Sequence, residues 1–324
     1  VRAAALGLFV AVGAYGVIAT SPDGRVWTAR TAAEANQLSS VCWNADNGLL
    51  VLVSRDGTNR VQYSSDGITW TAAAAAEANP WGSVCWASGL SGGSKFVAVA
   101  ATGTNQVMYS SNGITWTSAA AAAAKPWGCI AYNGTMLVAL AAGDIAYGTN
   151  LVMTSTNATA WTSQSCQPGL WYRLLYVSAL SRWIGVGTSG LDVASLQYSA
   201  DAITWSYSAA GSSWNPPVVG ACYGVAWSND HSLAVVVCGA LLSAQPPIAS
   251  IWSTNLMTWE ATFSALTGLT RGVDILNTIT VPATHAAGQT VRETFHARPA
   301  HIVDIVEGLL LAPASWVLTC RHRS

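Results

Sequence analysis

The sequence predicts an all-β chain, a six-bladed β-propeller of four-stranded antiparallel blades. Three observations lead there. A seven-residue phrase recurs six times, and its tryptophans are separated by 43, 46, 45, 44 and 54 residues. A period of about 40 to 50 residues made of strand-like segments is the spacing of propeller blades. Each period carries four short runs of apolar and β-branched residues, one per strand of a blade. The chain ends are also unequal, since the first unit opens without an innermost strand and a spare strand follows the sixth phrase.

The phrase reads "SPDGRVW", "SSDGITW", "SSNGITW", "STNATAW", "SADAITW" and "STNLMTW". Its fixed positions are Ser21, Asp23 and Trp27; Ser64, Asp66 and Trp70; Ser110, Asn112 and Trp116. They continue as Ser155, Asn157 and Trp161; Ser199, Asp201 and Trp205; Ser253, Asn255 and Trp259. Ser and Asp/Asn side chains bond backbone N–H groups one or two residues on, and Gly accepts a positive φ, so the phrase predicts a turn between the third and fourth strands. The tryptophan is expected to cover that turn and pack on a neighbouring blade. Asn replaces Asp at Asn112, Asn157 and Asn255. A turn needs only an acceptor oxygen, whereas a catalytic carboxylate does not survive that exchange. The box is therefore read as structural.

The four strands of the third unit are read in "GSVCWAS", "KFVAVAA", "NQVMYSS" and "ITWTSAA". The innermost strand recurs with Trp43, Trp86, Tyr132, Tyr176 and Trp227 in one column. The second strand is an unbroken apolar run in every unit, as expected of a strand buried on both faces between blades. The low-complexity links "TAAAAAEANPW" and "TSAAAAAAKPW" are too short for a stable helix and are read as connections from an outer to an inner strand. Their Trp81 and Trp127 either plug the gap between blades or offer a face to a sugar ring.

Ring closure is expected from the chain ends. "GLTRGVDIL" (Gly268 to Leu276) resembles an innermost strand and should lie beside Phe9 to Val12, giving six blades; seven is the alternative. Residues 1–276 then form the propeller, and residues 277–324 a tail that is peripheral or partly helical, over His301 to Leu311. The apolar start imitates a signal peptide, but Phe9 to Val12 align with Phe96 to Val99 and read as a strand. No uninterrupted apolar run reaches the length of a membrane helix.

Fourteen basic and fifteen acidic residues leave a formal net charge of −1. That balance excludes a polyanion binder and argues against nucleic acid. The seven cysteines contain no CxxC pair, so neither a disulfide framework nor a zinc site is indicated. Cys42 and Cys85, in matching contexts, read as small buried residues of a repeated strand. No metal and no cofactor is expected.

The phrase resembles the Asp-box, or BNR repeat, of sialidase-like and Ycf48-like β-propellers. The resemblance covers roughly residues 5 to 276, and all six copies are one residue shorter than the usual S-x-D-x-G-x-T-W. It implies a fold element at the turn between the third and fourth strands. The longer phrase around "YSSDGITWT" also resembles repeats common in phage and viral tail or fibre proteins and in bacterial surface proteins. Sialidase chemistry in the resembling family uses an arginine triad, a Tyr–Glu nucleophile pair and an Asp acid. Here Arg173, Arg271, Tyr176 and Asp274 fall on expected inner strands, but two arginines are not three and no RIP-type motif is present.

The reading that follows is a non-catalytic binding or structural module, part of a virion fibre or a cell surface, that recognises a glycan or a protein. A sialidase-like glycosidase and a Ycf48-like assembly factor are the alternatives. Departures from the repeat mark where a site would be built. They are Trp171, Tyr172 and Arg173, Trp214 in the insertion "GSSWNPPVVG", and Arg271 with Asp274.

Overall fold

The computed structural model describes residues 1–142, 150–166, 168–188, 194–207, 222–229, 231–239, 248–256, 260–263, 280–285 and 289–294. Within them lie six four-stranded antiparallel sheets and one hairpin. The first sheet is β1 (Arg2–Ala3), β2 (Leu8–Val12), β3 (Ile18–Ser21) and β4 (Thr28–Arg30). The second is β5 (Leu38–Asn44), β6 (Leu49–Ser54), β7 (Val61–Ser64) and β8 (Thr71–Ala73), and the third β9 (Trp81–Ala87), β10 (Lys95–Ala100), β11 (Val107–Ser110) and β12 (Thr117–Ala119). The fourth is β13 (Trp127–Tyr132), β14 (Leu137–Ala141), β15 (Val152–Ser155) and β16 (Thr162–Gln164). β17 (Leu170–Val177), β18 (Arg182–Thr188), β19 (Ala194–Ser199) and β20 (Ser206–Tyr207) make the fifth. The sixth holds β21 (Cys222–Ser228), β22 (Leu233–Gly239), β23 (Ile248–Ser253) and β24 (Glu260–Phe263).

Strand order follows chain order in every sheet, so each is a simple meander. The first strands of successive sheets pack side by side from the first sheet to the sixth, and this is the arrangement of propeller blades around an axis. The second strands carry the core. Leu50 to Val53, Phe96 to Ala100 and Leu137 to Ala141 are all sealed from solvent. Such strands are covered on both faces, which is why their sequences are continuous apolar runs rather than alternating ones.

The first sheet corrects one expectation. It does have an innermost strand: Arg2 stands opposite Phe9 and Ala3 opposite Leu8, and Val10 N–H donates to the Val1 carbonyl at 2.7 Å. The register puts Arg2 in the aromatic column, where Trp86 stands opposite Phe96 and Tyr176 opposite Trp183. Those ring pairs lie 4.6 and 4.9 Å apart, and the Arg2 guanidinium lies 5.8 Å from the Phe9 ring. A planar cation over an aromatic face takes the place of a ring. Gly268 to Leu276, expected beside Phe9, lie outside the described residues.

Among the described residues, the links between sheets carry no helix, as their length requires. They are clamped instead. Glu34 accepts from the Asn59 amide at 2.6 Å, while the Asn36 amide donates to the Asn59 carbonyl at 2.7 Å. Glu77, Asn79 and Asn105 repeat that clamp one sheet on, at 2.6 and 2.7 Å. The recurring "EAN" and "GTN" stretches are thus two halves of one device, a link and the hairpin loop that grips it.

One further expectation changes. Cys222 is disulfide-bonded, although no sequence spacing announced it. Its Cα partner across the β21–β22 ladder is Cys238, 16 positions on, so the two cysteines are brought level by strand register rather than by proximity in sequence. The tail contains an antiparallel hairpin, β25 (Thr280–His285) with β26 (Gln289–Thr294). Residues 301–311 are outside the described residues.

Candidate functional site

The recurrent turns form one geometry. In the second copy Ser64 Oγ donates to Asp66 Oδ1 at 2.9 Å and accepts from Gly67 N–H at 2.8 Å. Asp66 Oδ1 then accepts from Ile68 and Thr69 N–H at 2.7 and 2.8 Å. Asn112 Oδ1 takes the same donors, Ile114 and Thr115, at 2.9 Å each. Asn157 and Asp201 repeat the pattern with Thr159 and Ala160, and with Ile203 and Thr204. The amide oxygen and the carboxylate are interchangeable, which is what a turn acceptor needs and a catalytic acid forbids.

The fourth residue of each turn has a positive φ. It is Gly in three copies, and Ala158, Ala202 and Leu256 in the others, at 68°, 63° and 63°. Indole Nε1 of Trp116, Trp161 and Trp205 donates back to that residue's carbonyl at 3.0 to 3.2 Å. Trp70, Trp116 and Trp205 are buried, and the box packs on the preceding sheet: a Cβ at Gly113 would meet Val51 at 2.7 Å. Asp23, Asp66 and Asp201 have carboxyls below the usual range, held there first by backbone N–H donors (Arg25, Thr69 and Thr204 respectively). Trp259 lies outside the described residues.

A second repeated feature sits on the innermost strands. In five of them the register slips at one place, so that Ser39, Gly82, Gly128, Tyr172 and Tyr223 are bulge residues. Such bulges re-aim side chains and are frequent beside sites. Ser39 Oγ donates to the Trp81 carbonyl of the next strand at 2.6 Å. At Gly128 a Cβ would meet Ala142 Cβ at 2.7 Å, so close packing demands glycine there. In the fifth and sixth sheets the bulge residue becomes tyrosine. The Tyr172 and Tyr223 rings lie 5.3 Å apart, tilted by 32°, and both are partly exposed.

The residue after each bulge is Ser40, Ser83, Cys129, Arg173 and Gly224 in turn. Ser40 Oγ accepts from Val84 N–H at 3.2 Å and Ser83 Oγ from Ile130 N–H at 3.3 Å, tying one inner strand to the next. Arg173 breaks the series. Burial pulls its pKa down, and its Nη2 is sealed without a hydrogen-bond partner. The guanidinium acts electrostatically on the Cys129 thiol of the neighbouring inner strand and on the Val1 amino group, lowering the pKa of both. Burial pushes the Cys85 and Cys129 thiols up to about 12, so they are neutral at physiological pH.

Of the residues singled out in the sequence, Tyr172 and Arg173 stand together at this bulge. Trp171 does not join them, because it is fully buried. Trp81 and Trp127 are likewise buried, with Nε1 donating to the carbonyls of Glu77 and Ala123 at 3.1 and 3.0 Å. These tryptophans plug the seams between sheets and offer no face to a sugar. Trp214, Arg271 and Asp274 are outside the described residues. Tyr223 was missed, although "YGVAW" places it in the same column as Tyr172 in "YRLLY". Among the described residues, no group of three or more His, Cys, Asp or Glu converges on a metal position, and no helix is long and apolar enough to cross a membrane.

Sequential four-stranded meanders packed strand to strand define the chain as a β-propeller. It is similar to the solved structure of "YCF48 bound to D1 peptide", with a TM-score of 0.54 at 15% identity over 78% of this chain and 77% of that one. It is also similar to YCF48 from Cyanidioschyzon merolae, with a TM-score of 0.51 at 13% identity over 79% and 81%. A third likeness is the β-propeller domain of Cps50 (Swd1) from Myceliophteria thermophila, at 10% identity over 75% and 81% with a TM-score of 0.49. No family model matches the sequence, and no curated protein matches it.

Proposed function

We propose that this chain is a non-catalytic interaction module that binds a protein segment at the bulge of its fifth and sixth inner strands. The observation that carries the reading is the Tyr172–Tyr223 ring pair beside Arg173, at positions that hold Ser or Gly in the second, third and fourth sheets. Aromatic and arginine side chains are the usual anchors of protein recognition. The repeats supply a rigid frame, and function resides in what departs from them. A similar structure carries a bound peptide, which supports a peptide-like ligand here.

A glycan is the weaker ligand, because Trp81, Trp127 and Trp171 are sealed between sheets and offer no face to a sugar. In this reading residues 1–276 are the ring and residues 277–324 an appendage, carried by a virion fibre or a cell surface as the resembling repeats suggest. Screening the full chain on a displayed peptide library and a glycan array in parallel tests the proposal. Peptide hits that disappear with Tyr172→Ser/Tyr223→Ser support it. Glycan hits without peptide hits, or turnover of a glycoside, would overturn it.

A further inference from the structure

We infer that Arg173 holds an oxyanion, carboxylate or phosphate, at the inner face of the ring; this deepens the binding reading above by naming the chemistry of its ligand. The position after the bulge has a defined use in the second and third sheets. Ser40 and Ser83 there accept a backbone N–H from the next inner strand, and they carry no charge. Arg173 replaces that link with a guanidinium whose Nη2 is buried and bonded to nothing. No described carboxylate pairs with it. Its electrostatic neighbours are the neutral Cys129 thiol and Val1, neither of which supplies a negative charge.

Arginine does not shed its proton to escape such a setting. A desolvated cation is tolerated when an anion and further hydrogen bonds compensate it. No described residue supplies that compensation, and the residue as a whole remains partly exposed to an anion from solution. A planar fork of N–H donors matches the two oxygens of a carboxylate or phosphate. The adjoining Tyr172–Tyr223 pair would flank a chain that carries such a group. A carboxylate would arrive on a bound protein segment, and a phosphate free in solution.

The test is thermal denaturation of the full chain in chloride, acetate and phosphate at one ionic strength, for wild type, Arg173→Met and Arg173→Lys. Wild type should show a saturable rise in Tm with acetate or phosphate. Arg173→Met should be the more stable protein in chloride and should need at least about tenfold more anion for any rise, and Arg173→Lys should fall between them because it lacks the fork. If Arg173→Met does not fold, saturable broadening of the phosphate ³¹P resonance by wild type at lower phosphate than by Arg173→Lys reads the same site. Displacement of phosphate by N-acetyl-aspartate amide points to a carboxylate from a segment, and its absence to free phosphate. Equal responses of all three proteins, or no saturable response in wild type, would overturn the inference. Anion saturation without peptide hits would sink the protein-segment reading alone, and peptide binding indifferent to Arg173→Met would sink this one alone.

Discussion

Tyr172 and Tyr223 occupy the same bulge position on neighbouring inner strands, and their rings meet at 5.3 Å across the seam between the fifth and sixth sheets. A tilted ring pair at this distance couples by about 0.5 to 1.5 kcal/mol beyond area burial. A double-mutant cycle with Tyr172→Ser and Tyr223→Ser, read by denaturant unfolding, should return a coupling in that range. Additive losses would mean the rings are not paired in solution.

The turns predict an asymmetry between two substitutions in one box. Asp66→Asn should change stability by less than about 0.5 kcal/mol, because Asn112 accepts the equivalent bonds at nearly the same lengths. Trp116→Ala should cost about 3 to 5 kcal/mol, since it empties a buried site against the second sheet. Urea melts of both variants check this, and a large loss from Asp66→Asn would refute the structural role of the box.

Backbone strain gives a second, opposite-signed pair. Ala158 sits at φ 68°, a conformation that costs an L-residue roughly 1 kcal/mol, so Ala158→Gly should stabilise by about 0.5 to 1 kcal/mol. Gly113→Ala imposes the same strain and drives a methyl within 2.7 Å of Val51, and should cost more than about 2 kcal/mol. The two Tm shifts must differ in sign.

Of the six boxes, acid should act through three. The depressed carboxyls of Asp23, Asp66 and Asp201 contribute stability above the unfolded Asp pKa of about 3.9, and lose it as pH falls through their lower folded values. The boxes with Asn112, Asn157 and Asn255 do not titrate. A protein with Asp23→Asn, Asp66→Asn and Asp201→Asn should match wild type at pH 7 and lose less Tm between about pH 4 and pH 2. Parallel acid curves would show that the box carboxylates do not contribute.

Period, strand count and turn chemistry were legible because each is a local pattern written six times. The buried runs of β6, β10 and β14 needed only their continuous apolar sequence to be placed between sheets. What was not legible depends on register. A one-residue bulge at Tyr172 leaves no mark in composition, yet it separates the fully buried Trp171 from the partly exposed Tyr172 and Arg173. Arg2–Ala3 is too short to show a strand period, and Arg2 fills an aromatic column with a cation. The Cys222 disulfide is likewise not announced by linear spacing, and the register that sets Cys222 level with Cys238 in the ladder appears only in the structure.

The central claim is that the repeats are frame and that the departures at Tyr172, Arg173 and Tyr223 are the site. Calorimetric titration of a library-selected peptide into wild type, Asp66→Asn and Tyr172→Ser/Tyr223→Ser tests it most directly. The account predicts affinity within about twofold for Asp66→Asn, and a loss of at least about tenfold, or 1.4 kcal/mol, for the tyrosine variant while it remains folded. A tyrosine variant that binds like wild type, or a folded Asp66→Asn protein that has lost the peptide, would contradict it.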